Sequence, residues 1–126
     1  MPLPRHRYPK SHRLGGRLEF AAVRNEGIKE SRGPLAIYAL PNKLGHPRLG
    51  IGIGRHCGNA VRRNRVKRLL REAFRHIQYD LPGTYDLLIS VRPHEPLGLE
   101  EYKKLLSTAW SRLHLVWKKR GDTSGE

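Results

Sequence analysis

The sequence contains little acid, few aromatic residues and a single cysteine. Its 126 residues include 11 Asp and Glu against 25 Lys and Arg, and aromatic side chains make up 7% of the chain. With Cys57 alone, the chain can form neither an internal disulfide nor a zinc site built from several thiolates. It also has no apolar run approaching the roughly 20 residues that span a bilayer, which argues against a membrane protein.

The excess of cations is the dominant feature of the composition. A formal net charge of +14 makes the chain repel itself, and a polyanionic partner would offset that repulsion, so nucleic acid is the favoured partner class. Residues 1–13 carry Arg5, Arg7, Lys10 and Arg13, no acid and no signal-peptide apolar stretch. We therefore expect residues 1–13 to be a disordered basic arm and the protein to be cytoplasmic.

One domain is expected, because a chain of this length builds a single core. We place the domain at residues 14–120, between the basic arm and a polar tail at residues 121–126. A short helix around residues 18–23 is predicted to end at Gly27 in a left-handed conformation. Apolar runs predict strands at residues 35–40, 49–53 and 84–91. Helical spacing predicts helices at residues 59–77, with Asn59 as N-cap, and 102–117.

The resulting order is αββαβα. The long helix at residues 59–77 is expected to connect two parallel strands of one small sheet, because a helix is the usual link between such strands. The sequence therefore predicts mixed α/β packing, with helices covering the sheet.

The predicted helix at residues 59–77 has two contrasting faces. Wheel angles place apolar residues such as Val66 and Leu70 on one side. The opposite side carries Asn64, Arg65, Lys67, Arg68, Arg71 and Arg75. Solvated helix faces usually mix charges of both signs, but Glu72 is the only acid in this helix, and Arg62 and Arg63 lie in the first turn, where the helix dipole disfavours cations. This placement indicates an external anion, with an ordinary charged outer face as the alternative.

Glycines precede the basic helix at regular spacing. Gly50, Gly52 and Gly54 share one face of the predicted strand, where the lack of side chains permits close approach of RNA or of a packed helix. The residues alone leave both interpretations open. Gly58 and Asn59 then lead into the helix N-terminus, where backbone N–H groups offer a possible phosphate contact.

The residues from Arg48 to Arg75, and above all Arg63-Asn64-Arg65 followed by Lys67 and Arg68, resemble the signature of the bacterial ribonuclease P protein family. The resemblance covers most of residues 13–92. It implies an α/β (α+β) two-layer sandwich with an αβββαβα-like order, similar to domain 2 of ribosomal protein S5. It also implies an unusual left-handed βαβ crossover, which general topology rules do not predict.

The family resemblance implies an RNA-binding subunit that helps a catalytic RNA remove the 5′ leader from precursor tRNA. The residues that it places against the catalytic RNA are Arg62, Arg63, Asn64, Arg65, Lys67, Arg68 and Arg71. Those that it places in a leader-binding cleft between the sheet and the first helix are Phe20, Tyr38, Arg24 and Arg55. Arg24 stands where relatives often have an aromatic residue, and Arg55-His56 where they often have two lysines. Leader recognition is therefore expected to depend more on charge than on stacking.

No catalytic or metal-binding residue is assigned to the protein. The seven histidines are scattered, and Glu19, Glu72, Asp86 and Glu95 form no recognisable cluster for two Mg²⁺ ions. The resemblance implies that the RNA subunit holds the Mg²⁺ and that one protein copy joins one RNA subunit and precursor tRNA. A protein-only nuclease, another RNA-binding protein such as a ribosomal protein, and a DNA-binding protein are the alternatives.

Overall fold

The computed structural model describes residues 12–124, and side chains as far as residue 121. The elements are α1 (Gly16–Glu26), β1 (Ile28–Arg32), β2 (Leu35–Pro41), β3 (Arg48–Ile53), α2 (Ala60–Ile77), β4 (Tyr85–Val91) and α3 (Leu99–Ser124), with a 3-10 turn at Arg55–Cys57. This order, αβββαβα, is the one implied by the family resemblance. No helix within residues 12–124 is both long and apolar enough to cross a membrane.

The four strands form one mixed sheet in the order β1-β2-β4-β3. Strand β2 is antiparallel to both β1 and β4, whereas β3 and β4 are parallel and are connected through α2. The predicted parallel pair is therefore confirmed. Strand β1 was not predicted from the apolar pattern, because it is an edge strand that carries the charged residues Lys29, Glu30 and Arg32. Charged side chains on an edge discourage pairing with other chains.

Helices lie on both faces of the sheet. The main core forms where α2 and α3 cover one face, and it contains the fully buried Leu70, Phe74 and Trp110. A smaller cluster on the opposite face contains Leu14, Val23 and Leu88, and here α1 covers part of β2 and β4. The α1 side of the sheet therefore keeps an uncovered part, which becomes important for the candidate site.

Three details differ from the sequence-based predictions. The left-handed conformation predicted for Gly27 is wrong, because its φ of −81° and ψ of 174° are extended; glycine is needed because a Cβ would lie 2.4 Å from the Val23 carbonyl oxygen. Helix α3 continues to Ser124, into the segment predicted to be a polar tail. Residues 1–11 of the predicted arm lie outside the described residues, but Arg13 already pairs with Leu49 of β3 in an isolated parallel bridge.

Candidate nucleic-acid interface

Helix α2 has the predicted two-faced arrangement. It buries Val66, Leu70, Ala73, Phe74 and Ile77. Of the seven residues expected to bind catalytic RNA, Asn64, Arg65, Arg68 and Arg71 are exposed and Arg62, Arg63 and Lys67 are partly buried. The structure therefore places all seven on one helix with its apolar stripe turned inward, and long side chains on such a surface can reach phosphates without disturbing the core.

The acidic side chains near α2 form ion pairs with residues other than Arg65, Lys67 and Arg68. Glu72 accepts hydrogen bonds from Arg75 and His76, and the bond from Arg75 lowers the pKa of its carboxyl. Arg62 forms a 2.7 Å ion pair with the highly exposed Glu95. Among residues 12–121, no acidic side chain forms an ion pair with Arg65, Lys67 or Arg68. Their charge is available to an external anion.

The start of α2 is capped within the chain. The side chain of Asn59 accepts a 2.9 Å hydrogen bond from the Arg62 backbone N–H, as expected of an N-cap. Gly58 has a φ of +122°, a conformation that strongly favours glycine, and its carbonyl accepts a 3.0 Å hydrogen bond from Nε of Arg63. The N-cap prediction is confirmed, and the phosphate contact at Gly58 and Asn59 stays a prediction.

The first helix and the sheet place Phe20 and Tyr38 in one hydrophobic cluster. Both rings are partly buried and belong to the cluster on the α1 side of the sheet. The guanidinium carbon of Arg24 lies 5.7 Å from the centre of the Tyr38 ring, so the cation that replaces an aromatic residue of relatives is placed over an aromatic face. Phe20, Tyr38 and Arg24 therefore share one side of the molecule, as predicted.

Lys29 is a further cation at this place that sequence reasoning missed. It pairs with Tyr38 across the β1–β2 ladder, and its Nζ lies 6.0 Å from the ring centre. Only the strand register reveals this neighbour. Arg55, by contrast, follows the carboxyl end of β3, and β4 separates β3 from the strand that carries Tyr38. Arg55 is exposed and lies at the end of the sheet rather than beside the tyrosine ring.

The glycines of β3 have different surroundings. A Cβ on Gly50 would lie 2.7 Å from Cε1 of Phe20, so the absent side chain makes room for that ring. A Cβ on Gly52 would meet nothing nearer than a backbone oxygen at 3.9 Å. Gly52 pairs with Ser90, and Ser90 pairs with Ala36, so a row of small residues crosses the sheet beside the two aromatic rings. Packing explains Gly50, and an open surface remains at Gly52.

Arg48 holds α1 against the sheet. Its guanidinium donates to both carboxylate oxygens of Asp86 on β4, at 2.9 and 2.7 Å, and to Glu19 of α1 at 3.1 Å. The hydrogen bond to Asp86 raises the pKa of Arg48 above its usual range. Asn42 donates a 2.7 Å hydrogen bond to the same carboxylate. Sequence patterns did not predict this network, because Arg48 and Asp86 lie 38 residues apart along the chain.

No group of three or more His, Cys, Asp or Glu side chains that could hold a metal ion occurs in the part of the chain that the structure describes. Glu19 and Asp86 do approach each other, but the guanidinium of Arg48 lies between them. A cation already occupies the space where a metal would have to bind.

A small α+β domain with a cationic helix on one side of the sheet, and with aromatic residues flanked by cations on the other, is typical of an RNA-binding protein. The family model for ribonuclease P matches residues 8–114, and the chain belongs to the bacterial ribonuclease P protein family. It is similar to the ribonuclease P protein component of Methylococcus capsulatus, with 44% identity over 94 residues, which cover 72% of this chain and 73% of the relative. The Exiguobacterium protein component is 33% identical over 112 residues, which cover 89% and 97% of the two chains.

Solved structures support the same assignment. The ribonuclease P protein from Thermotoga maritima superposes with a TM-score of 0.71 at 28% identity, covering 79% of this chain and 96% of that chain. The Staphylococcus aureus protein gives a TM-score of 0.69 at 26% identity, with 79% and 93% covered. The predicted fold class is thereby confirmed. The chain is a subunit of the ribonuclease P holoenzyme, the endoribonuclease ribonucleoprotein of tRNA processing, and its partners are ribonuclease P RNA and precursor tRNA.

Proposed function

We propose that the exposed face of α2 binds the ribonuclease P RNA. The observation that carries this assignment is that Arg65, Lys67 and Arg68, all on α2, have no acidic partner within residues 12–121. Arg62, Arg63, Asn64 and Arg71 lie on the same helix. The planar guanidinium group of arginine can donate two parallel hydrogen bonds to phosphate oxygens. A helix that is rigidly packed on its other face presents these guanidinium groups at fixed spacing.

The cleft between α1 and the sheet binds the single-stranded 5′ leader in this proposal. Phe20 and Tyr38 offer partly exposed rings for stacking with unpaired bases, and the row of small residues beside them leaves room for those bases. Arg24 and Lys29 add positive charge at the Tyr38 ring, where the leader backbone would pass. Arg55 contributes at the far end of the sheet.

The chemical step takes place on the RNA subunit, which also holds the Mg²⁺ ions. The donor chemistry of the protein supports this assignment, because Glu19, Glu72 and Asp86 are each hydrogen-bonded to an arginine. The protein contributes binding energy and positioning of the substrate. One copy of the protein acts with one RNA subunit, in the cytoplasm where precursor tRNA is made.

Replacement of Tyr38 tests the cleft. Loss of one base-stacking ring typically costs about 1–3 kcal/mol, so Tyr38→Ala should weaken holoenzyme binding to precursor tRNA roughly fivefold to hundredfold and leave binding to mature tRNA unchanged. Tyr79→Ala is the matched control, because Tyr79 is 77% exposed and lies beyond the C-terminus of α2. Equal losses for precursor and mature tRNA would show that Tyr38 has a structural role only.

A further inference from the structure

We propose that Arg48 is a positioning residue for leader binding: through its ion pairs with Glu19 and Asp86 it fixes α1 on the sheet and so holds Phe20 against Gly50, in the cluster that also contains Tyr38. This inference rests on the proposed leader-binding role of the cleft. It assigns to an arginine of a highly basic protein a task other than contact with RNA.

The hydrogen-bonding capacity of Arg48 is largely used within the protein. Nε and both terminal nitrogens donate to carboxylate oxygens at 2.7 to 3.1 Å, and the side chain is only 20% exposed. Asp86, whose side chain is 9% exposed, is itself fixed by Asn42. A guanidinium held in this way by two carboxylates offers little to a phosphate.

The position of Arg48 is coupled directly to the position of Phe20 in the cleft. Arg48 and Gly50 lie two residues apart on the same face of β3, and they contact two consecutive residues of α1. Arg48 binds Glu19, and Gly50 receives the ring of Phe20, whose Cε1 lies 2.7 Å from the place that a Cβ would occupy. The ion pair and the aromatic contact are therefore adjacent attachments of one helix to one strand.

For replacement of Glu19, a positioning role of the ion pair and a purely electrostatic effect predict opposite changes in leader binding. Removing this negative charge from beside the cleft should strengthen phosphate binding if only charge matters. If the ion pair positions Phe20, the same change should weaken leader binding. Glu19 also accepts a hydrogen bond from the Gly15 backbone N–H, so its loss frees the N-terminus of α1 as well.

The test compares Glu19→Ala with Glu26→Ala in holoenzyme reconstituted with its RNA subunit. Both changes remove one carboxylate from α1, but Glu26 is exposed and forms no ion pair among the described residues. We expect Glu19→Ala to weaken binding of leader-bearing precursor tRNA by about 1.4-fold to fivefold, the range set by a partly exposed ion pair. Binding to mature tRNA and to the RNA subunit should not change. Glu26→Ala should bind the precursor equally well or up to about twofold more tightly.

Three results would overturn the inference. Precursor binding by Glu19→Ala that equals or exceeds that of the unmodified protein would show that the ion pair does not position the cleft. Equal losses for precursor, mature tRNA and RNA subunit would show general structural support only. If Tyr38→Ala also keeps its full preference for leader-bearing tRNA, the cleft does not bind the leader and the role of Arg48 is refuted with it. If Tyr38→Ala loses that preference while Glu19→Ala keeps it, the cleft binds the leader and only the role of Arg48 is wrong.

Discussion

Replacing Arg65 and Arg68 together should weaken assembly with the ribonuclease P RNA and reduce its dependence on salt. Both side chains are exposed, neither has an acidic partner among the described residues, and the buried side of α2 is unaffected. The Arg65→Ala/Arg68→Ala protein should therefore keep its free energy of unfolding to within about 1 kcal/mol, because exposed substitutions change stability little. A loss of RNA binding could then be assigned to the interface.

The magnitude follows from counterion release. Each phosphate contact contributes about 0.9 to the slope of log K against log salt concentration, so two lost contacts should flatten the slope by about 1.8. Between 50 and 200 mM salt, a slope difference of that size reduces the ratio of the two proteins' affinities for the RNA by about tenfold. The affinity loss should therefore be large at low salt and shrink as salt rises.

Filter binding of labelled RNA subunit across this salt range measures the slope. Lys104→Ala/Lys118→Ala is the matched control, because it removes the same charge from exposed positions on α3. The control should lower affinity slightly and keep the slope within about 0.5 of the original. An unchanged slope for Arg65→Ala/Arg68→Ala, or an equal change in the control, would refute the phosphate contacts on α2.

Two further predictions concern β3 and α2. Gly50→Ala should destabilise the fold by about 1–3 kcal/mol, because the added methyl group would lie 2.7 Å from Phe20. The methyl group of Gly52→Ala would meet nothing nearer than 3.9 Å, so this variant should change the free energy of unfolding by less than about 0.5 kcal/mol. Equal losses for the two variants in urea unfolding would contradict this packing. The hydrogen bond from Arg75 lowers the pKa of Glu72, so the pair stabilises the fold above the usual carboxyl pKa of 4.5 and loses that contribution as pH falls. Glu72→Gln should therefore reduce part of the fall in Tm between about pH 5 and pH 3, and an unchanged profile would contradict the pairing.

Local sequence patterns predicted the elements that are defined by their own periodicity. Helix α2 begins and ends where its apolar spacing and Asn59 cap predict, because a single buried stripe and a local hydrogen bond determine it. Strand β1 was missed because an edge strand with charged residues has no such stripe. The cationic face of α2 could also be predicted from the sequence, because residues three and four apart lie on the same face of a helix.

The cleft depends on contacts that sequence patterns do not contain. Arg48 finds Glu19 and Asp86 at separations of 29 and 38 residues along the chain, and Lys29 reaches Tyr38 only through the register of β1 on β2. Phe20 and Tyr38 were proposed as neighbours from the family resemblance alone, and the structure places them in one cluster. Spacing within one element predicts which side chains share a face, but pairing between elements decides which faces meet.

Site-specific cross-linking in the assembled holoenzyme tests the two RNA surfaces most directly. A photoreactive amino acid is placed at residue 68 of α2 or at residue 38 of β2, and the cross-linked nucleotides are mapped in the presence of precursor tRNA. We predict that residue 68 labels the ribonuclease P RNA and that residue 38 labels the 5′ leader. Labelling of the leader from residue 68, or of the RNA subunit alone from residue 38, would contradict the assignment of these surfaces.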